Sequence, residues 1–189
     1  MDTAPARAVC VLVLSAAAIA VTGGRINPHE GRKWTVEEDN KLHAFVRSLP
    51  DDAYLAGWPP LVMTIPQACR RPVFISLQTH LPYHTEFTKE MRRRMYALID
   101  AQYAASVEPL LKLRDEHGVT HLLVHRHHLR SHIPGNYFRP FDEYIEKRFD
   151  EAQRSYEIFR QIPHAEVFSW SKLTLLDLSK LAVSNRPQD

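Results

Sequence analysis

The chain is poor in the residues from which several common sites are built. Six glycines among 189 residues leave no glycine-rich loop of the kind that cradles phosphate with backbone N–H groups. Two cysteines, Cys10 in an apolar N-terminal run and Cys69 in the body, make neither a disulfide framework nor a zinc spacing. Excess charge is also missing. The net charge of +2 is too small for a nucleic-acid surface, which needs clustered base. Ser76 follows a strand-like run, but "FISLQ" lacks the glycines that would expose a nucleophile on a strained turn.

What is present suits one folded domain, with 44% hydrophobic and 24% charged residues. Thirteen prolines favour rigid corners and helix stops over flexible linkers. The N-terminus is distinctive: "AVCVLVLSAAAIAVTGG" runs from Ala8 to Gly24 without a charge, between Arg7 and Arg25. Its length is near the lower limit for a transmembrane helix. The competing reading is a signal peptide cleaved after Ala18-Ile19-Ala20. Either reading places the domain at or beyond a membrane; a third, a buried core helix, would not, and the lack of a polar face in the run disfavours it. Arg25, Arg32 and Lys33 follow the run and only Arg7 precedes it, so a lone span would put the domain in the cytoplasm. The expected organisation is a transmembrane helix or signal segment over 1–24, a polar neck over 25–34, an α/β domain over 35–182 and a tail over 183–189.

Within the domain, Thr35 and Glu38 make a capping box for a helix with Leu42, Phe45, Val46 and Leu49 on one stripe, stopped by Pro50. "AYLAG" reads as a short buried strand, "PPLVMTIPQACR" as a helical turn or loop, and "PVFIS" as a second buried strand. A helix from Thr85 carries Phe87, Met91, Met95, Leu98 and Ile99, with Arg92, Arg93 and Arg94 on a solvated face. Another, Val107 to His117, stops at Gly118, the residue suited to a left-handed helix end, and "VTHLLV" follows as the third strand. After a loop from Arg126 to Arg139, a helix bearing Phe141, Ile145, Phe149, Ala152, Tyr156 and Phe159 ends before Pro163. "AEVFSW" and "LTLLDL" make an antiparallel hairpin about Ser171-Lys172. Alternating strands and helices predict an α/β fold: a three-layer sandwich with a mainly parallel sheet and the hairpin at one edge.

In such sheets a ligand sits beyond the carboxyl ends of the strands. Those ends hold His80, His84 and His125, candidate metal ligands through neutral imidazole. No acidic residue joins them at ligand spacing and HExxH is absent. The same region has a second reading. Arg126, His127, His128, Arg130, His132 and Arg139 form a basic rim for phosphate or anionic lipid headgroups. Arginines next to Cys69 could lower its pKa, although a buried structural thiol is the simpler expectation. No cofactor is expected.

The order "LPDDAYLAGWPPLVMTIPQACRRPVFIS", "YHTEFTKEMRRRMYALIDAQYA", "HGVTHLLV" and "EVFSWSKLTLLDL" carries a resemblance. Its markers are Ala56-Gly57-Trp58-Pro59, Arg71 and Gly118-Val119. It resembles the C-terminal extramembrane domain of multi-pass GT-C-type glycosyltransferase-like membrane proteins, distant relatives of dolichyl-phosphate-mannose mannosyltransferases and oligosaccharyltransferases. The resemblance implies an extracytoplasmic α/β domain after a last membrane helix, against the lone-span charge count. In that family the catalytic acids lie between earlier membrane helices, so no catalytic residue carries over. It implies a non-catalytic domain whose partners are membrane lipid and an upstream membrane-embedded glycosyltransferase region or subunit. The alternatives are a secreted or anchored metal-dependent hydrolase using the strand-end histidines, and a phosphate or lipid-headgroup binding module.

Overall fold

The structure, a computed structural model, describes residues 36–79, 84–126, 129 and 141–181. All of them belong to the compact unit Trp34–Asp189. The elements are α1 (Val36–Ser48), β1 (Leu55–Gly57), α2 (Pro59–Val62), α3 (Ile65–Cys69), α4 (Thr85–Gln102) and α5 (Glu108–His117). They continue with β2 (His121–His125), α6 (Phe141–Gln161), β3 (Glu166–Trp170) and β4 (Leu173–Asp177).

Where their side chains are described, most residues of the apolar stripes face the interior; Phe149, Ala152 and Tyr156 of the last stripe lie outside the described side chains. Leu42 and Val46 of α1 are fully buried, as are Leu98 and Ile99 of α4 and Ile145 of α6. Phe87 is the exception, 42% exposed at the first turn of α4. The segment expected as a helical turn or loop holds two short helices, α2 and α3, each with proline in its first turn, where the missing N–H has no intrahelical partner to lose. Gly118 ends α5 at φ 69°, and its N–H donates to the Arg114 carbonyl at 2.9 Å. That left-handed position is strained for any side chain.

The sheet order is β1-β2-β4-β3. β1 and β2 are parallel, with Gly57 opposite Leu123, whereas β2–β4 and β4–β3 are antiparallel. The sheet is therefore mixed, which corrects the expectation of a mainly parallel one. After the turn at Ser171-Lys172, β4 returns directly beside β2, so that among the four strands only β1 and β2 pair in parallel. The segment expected as the second strand supplies one parallel bridge, Leu55 to Val73. Pro72 has no N–H with which to extend the ladder, and the chain moves into a 3₁₀ turn at Leu77–Thr79. Phe74, Ile75 and Ser76 still turn inward and are buried.

Every residue of β2 is buried, as is Leu173 to Leu176 of β4, so both sheet faces are covered there. β3 forms the edge, with Trp170 40% exposed. Among the described residues no helix is long and apolar enough to cross a membrane. The run from Ala8 to Gly24 and the capping residue Thr35 lie outside those residues.

A polar seam joins β1 to β2. Thr120 Oγ1 receives the Tyr54 N–H at 2.8 Å, donates to the Tyr54 carbonyl at 3.1 Å and lies 2.8 Å from His121 Nδ1. Burial holds the His121 imidazole below its ordinary pKa, with Asp177 acting weakly the other way. A depressed folded value means that the unfolded chain takes up the proton first. This contribution is complete above about pH 6.5 and is lost as pH falls from there through the folded value. The melting temperature is expected to fall between pH 7 and pH 5, and His121→Asn flattens that fall. His117, whose pKa is also lowered by burial, needs the parallel variant His117→Asn to separate its share.

Candidate functional site

β1 and β2 run in the same direction, so Gly57 and His125 stand at one edge of the sheet. The candidate ligands there differ in setting. His125 is 3% exposed and pairs in register with Leu173. His84 is exposed just before α4, and its carbonyl accepts from the Thr88 N–H at 2.9 Å and the Thr88 hydroxyl at 3.0 Å. Among the described residues no group of three or more His, Cys, Asp or Glu is arranged to hold a metal ion. His80 lies outside those residues, as do His127, His128, Arg130, His132 and Arg139.

Arg126 is the described member of the basic rim. Its N–H donates to the Lys172 carbonyl at 2.8 Å, continuing the β2–β4 ladder. Its guanidinium lies along the sheet and donates to the Ser169 hydroxyl of β3. Cys69 is 3% exposed, and burial raises its thiol pKa against the opposing pull of Arg47 and Arg71. It is a structural thiol.

The arginine triplet divides. Arg93 pairs with Glu90 on the surface at 2.8 Å, and Arg92 is exposed. Arg94 also binds Glu90 at 2.8 Å, but its Nη1 turns inward to the Tyr54 hydroxyl at 3.2 Å and the Phe74 carbonyl at 3.3 Å. The two arginines together pull the Glu90 carboxyl down to about 2.

A cleft of about 670 Å³ lies between α4, α5 and Arg148 of α6. That volume is within the range of small-molecule sites. Tyr103, Ala104 and Leu113 are its buried lining residues. Asp100 and Arg148 of its lining form a three-membered network with Tyr144, which stands behind them. The Tyr144 hydroxyl donates to Asp100 Oδ1 at 2.7 Å, and Arg148 donates to the same oxygen at 3.0 Å. Arg148 also donates to the Tyr144 oxygen at 3.1 Å and lies 5.3 Å from the centre of that ring. Tyr96 packs edge-on to Tyr144, with ring centres 4.8 Å apart, and offers its remaining surface to the cleft. Burial raises the Tyr103 phenol well above its ordinary pKa. Burial first, then the bond to Asp100, raises that of Tyr144. Both phenols stay protonated at neutral pH.

The cleft was missed in the sequence, although a faint signal existed. Tyr144 and Arg148 are four residues apart and share a helix face, and Asp100 interrupts the end of an apolar stripe.

No family model matches the sequence, and no curated protein matches it. Among solved structures, the chain is similar to the C-terminal globular domain of the oligosaccharyltransferase AfAglB-S2 from Archaeoglobus fulgidus. The TM-score is 0.49 and the identity 8%, over 77% of this chain and 98% of the other. The likeness concerns fold. No residue role passes from it to this chain.

Proposed function

We propose that the chain is a membrane-anchored, extracytoplasmic, non-catalytic domain that recognises sugar beside a membrane-embedded transferase of lipid-linked sugars. The observation that carries this reading is the Asp100–Arg148 pair in the cleft wall, braced by the Tyr144 hydroxyl. A polyhydroxylated ligand presents donors and acceptors side by side. The cleft answers with carboxylate acceptors, guanidinium and ammonium donors and tyrosine faces. Phenols that remain protonated donate hydrogen bonds, a role suited to binding. The charge-free run from Ala8 to Gly24 supports anchoring. Within this reading the basic residues from His127 to Arg139 meet anionic headgroups or phosphate.

Titration of the full chain in lipid nanodiscs with mannotriose and chitotriose tests the proposal. One of them binds saturably, and Asp100→Asn and Arg148→Gln each weaken binding at least tenfold, about 1.4 kcal/mol. Saccharide binding that these substitutions leave unchanged would remove the cleft from the reading. Absence of binding, together with release of the chain from membranes by alkaline carbonate, would overturn the reading.

A further inference from the structure

A second cavity, of about 270 Å³, lies away from the cleft, between the sheet and the C-terminal end of α6. Alternation along β2 puts Val124 and Arg126 on the face opposite His125. The register places Thr174 of β4 directly beside Val124, and Ser169 of β3 beside Thr174. Half-buried Phe159, exposed Pro163 and buried Leu129 also line the cavity.

Thr174 is the anomaly in this wall. It is 5% exposed among buried leucines in β4, and its hydroxyl has no hydrogen-bond partner among the described residues. A buried hydroxyl left unmade costs stability, and valine would fill the same volume without that cost. Arg126 gives a second, independent sign. Its buried Nε is also without a partner among the described residues, while the bond from its terminal nitrogen to Ser169 holds the guanidinium in place. Among the described residues no carboxylate pairs with it. Both residues line the same cavity, with these two atoms at its wall just beneath the accessible surface. Arg160 and the exposed Glu166 line it as well and offset each other in charge. That leaves the Arg126 cation.

We propose that this cavity binds a small organic anion, its oxyanion held by Arg126 Nε–H and the Thr174 hydroxyl. Charge-assisted donors of this kind favour carboxylate or phosphate. Val124, Leu129, Phe159 and Pro163 enclose a short aromatic or branched aliphatic body. The volume equals that of roughly nine waters at about 30 Å³ each, enough for a single ring or its aliphatic equivalent. The site is distinct from the cleft and does not depend on sugar recognition there.

Calorimetric titration of the full chain in nanodiscs with benzoate, phenyl phosphate and the neutral isostere benzamide tests this. Saturable binding of either anion at one site is expected, with benzamide at least tenfold weaker, and the tighter anion identifies the preferred oxyanion. Arg126→Gln should weaken binding more than twentyfold. Thr174→Val should weaken it at least fivefold while leaving the melting temperature equal or higher, so lost affinity cannot be blamed on unfolding. The proposal is overturned if neither anion saturates, if benzamide matches benzoate, or if Thr174→Val binds as tightly as the parent chain.

Discussion

Replacing Phe74 with alanine should lower folding stability by about 3–5 kcal/mol, the range for deleting a fully packed aromatic ring. Phe74 is 2% exposed and joins three parts of the domain. Its N–H donates to the Leu55 carbonyl of β1 at 2.8 Å. Its ring lies 6.1 Å from Tyr54 edge-on and 5.1 Å from the His117 imidazole at the end of α5. The Arg94 guanidinium of α4 stands 5.4 Å from its centre. Alanine would keep the backbone bond but leave a void beneath α4 and α5, and Arg94 would lose its aromatic face. For a domain of this size the loss corresponds to a fall in melting temperature of roughly 10 °C. Phe74→Leu should recover about half by filling part of the void. Thermal unfolding followed by tryptophan fluorescence measures both, and a loss below about 1 kcal/mol for alanine would show that this ring is not a core element.

A single added methyl group at Gly57 should cost about 1–3 kcal/mol, because this wall of the core has no room to give. A Cβ there would lie 2.7 Å from Val62 Cγ1, 3.1 Å from Leu123 Cβ and 3.1 Å from the Leu123 carbonyl oxygen. The first contact is a side chain, but Val62 is fully buried on α2, whose start is tied back to the Trp58 carbonyl by the Leu61 and Val62 N–H groups. The other two belong to β2, whose pairing with β1 sets the distance. Conformation is not the issue, since Gly57 has no left-handed φ. The glycine is needed for close approach. Gly57→Ala combined with Val62→Ala should therefore be more stable than the sum of the single effects by about 1 kcal/mol or more. Strict additivity would mean that the clash is relieved elsewhere.

These two positions show where sequence reading reaches and where it stops. Gly57 stands out in the sequence as the end of a short strand, but its reason is a neighbour five residues on and another across a crossover. Phe74 reads as one apolar residue of a presumed strand. In the structure the strand is a single bridge, and the residue matters because it faces Arg94, twenty positions later. The arginine triplet looks uniform, yet only Arg94 is drawn inward by the orientation of α4. The strand-end histidines are legible as residues, but their burial is not: His125 belongs to a strand covered on both faces, and His84 to an exposed helix start.

Local order was determined by the sequence alone. The periodic stripes of α1, α4 and α6, the helix stop at Gly118 and the turn at Ser171-Lys172 each depend on residues within a few positions of one another. At that range, side-chain spacing and allowed φ select one geometry. Sheet order, the meeting of Asp100 with Tyr144 across a separation of 44 residues, and the placing of Arg126 beside Thr174 were decided by the tertiary structure. Such contacts depend on how crossovers close and on which register a returning strand adopts. Those choices are set by packing over the whole core, and no short stretch of the chain carries them.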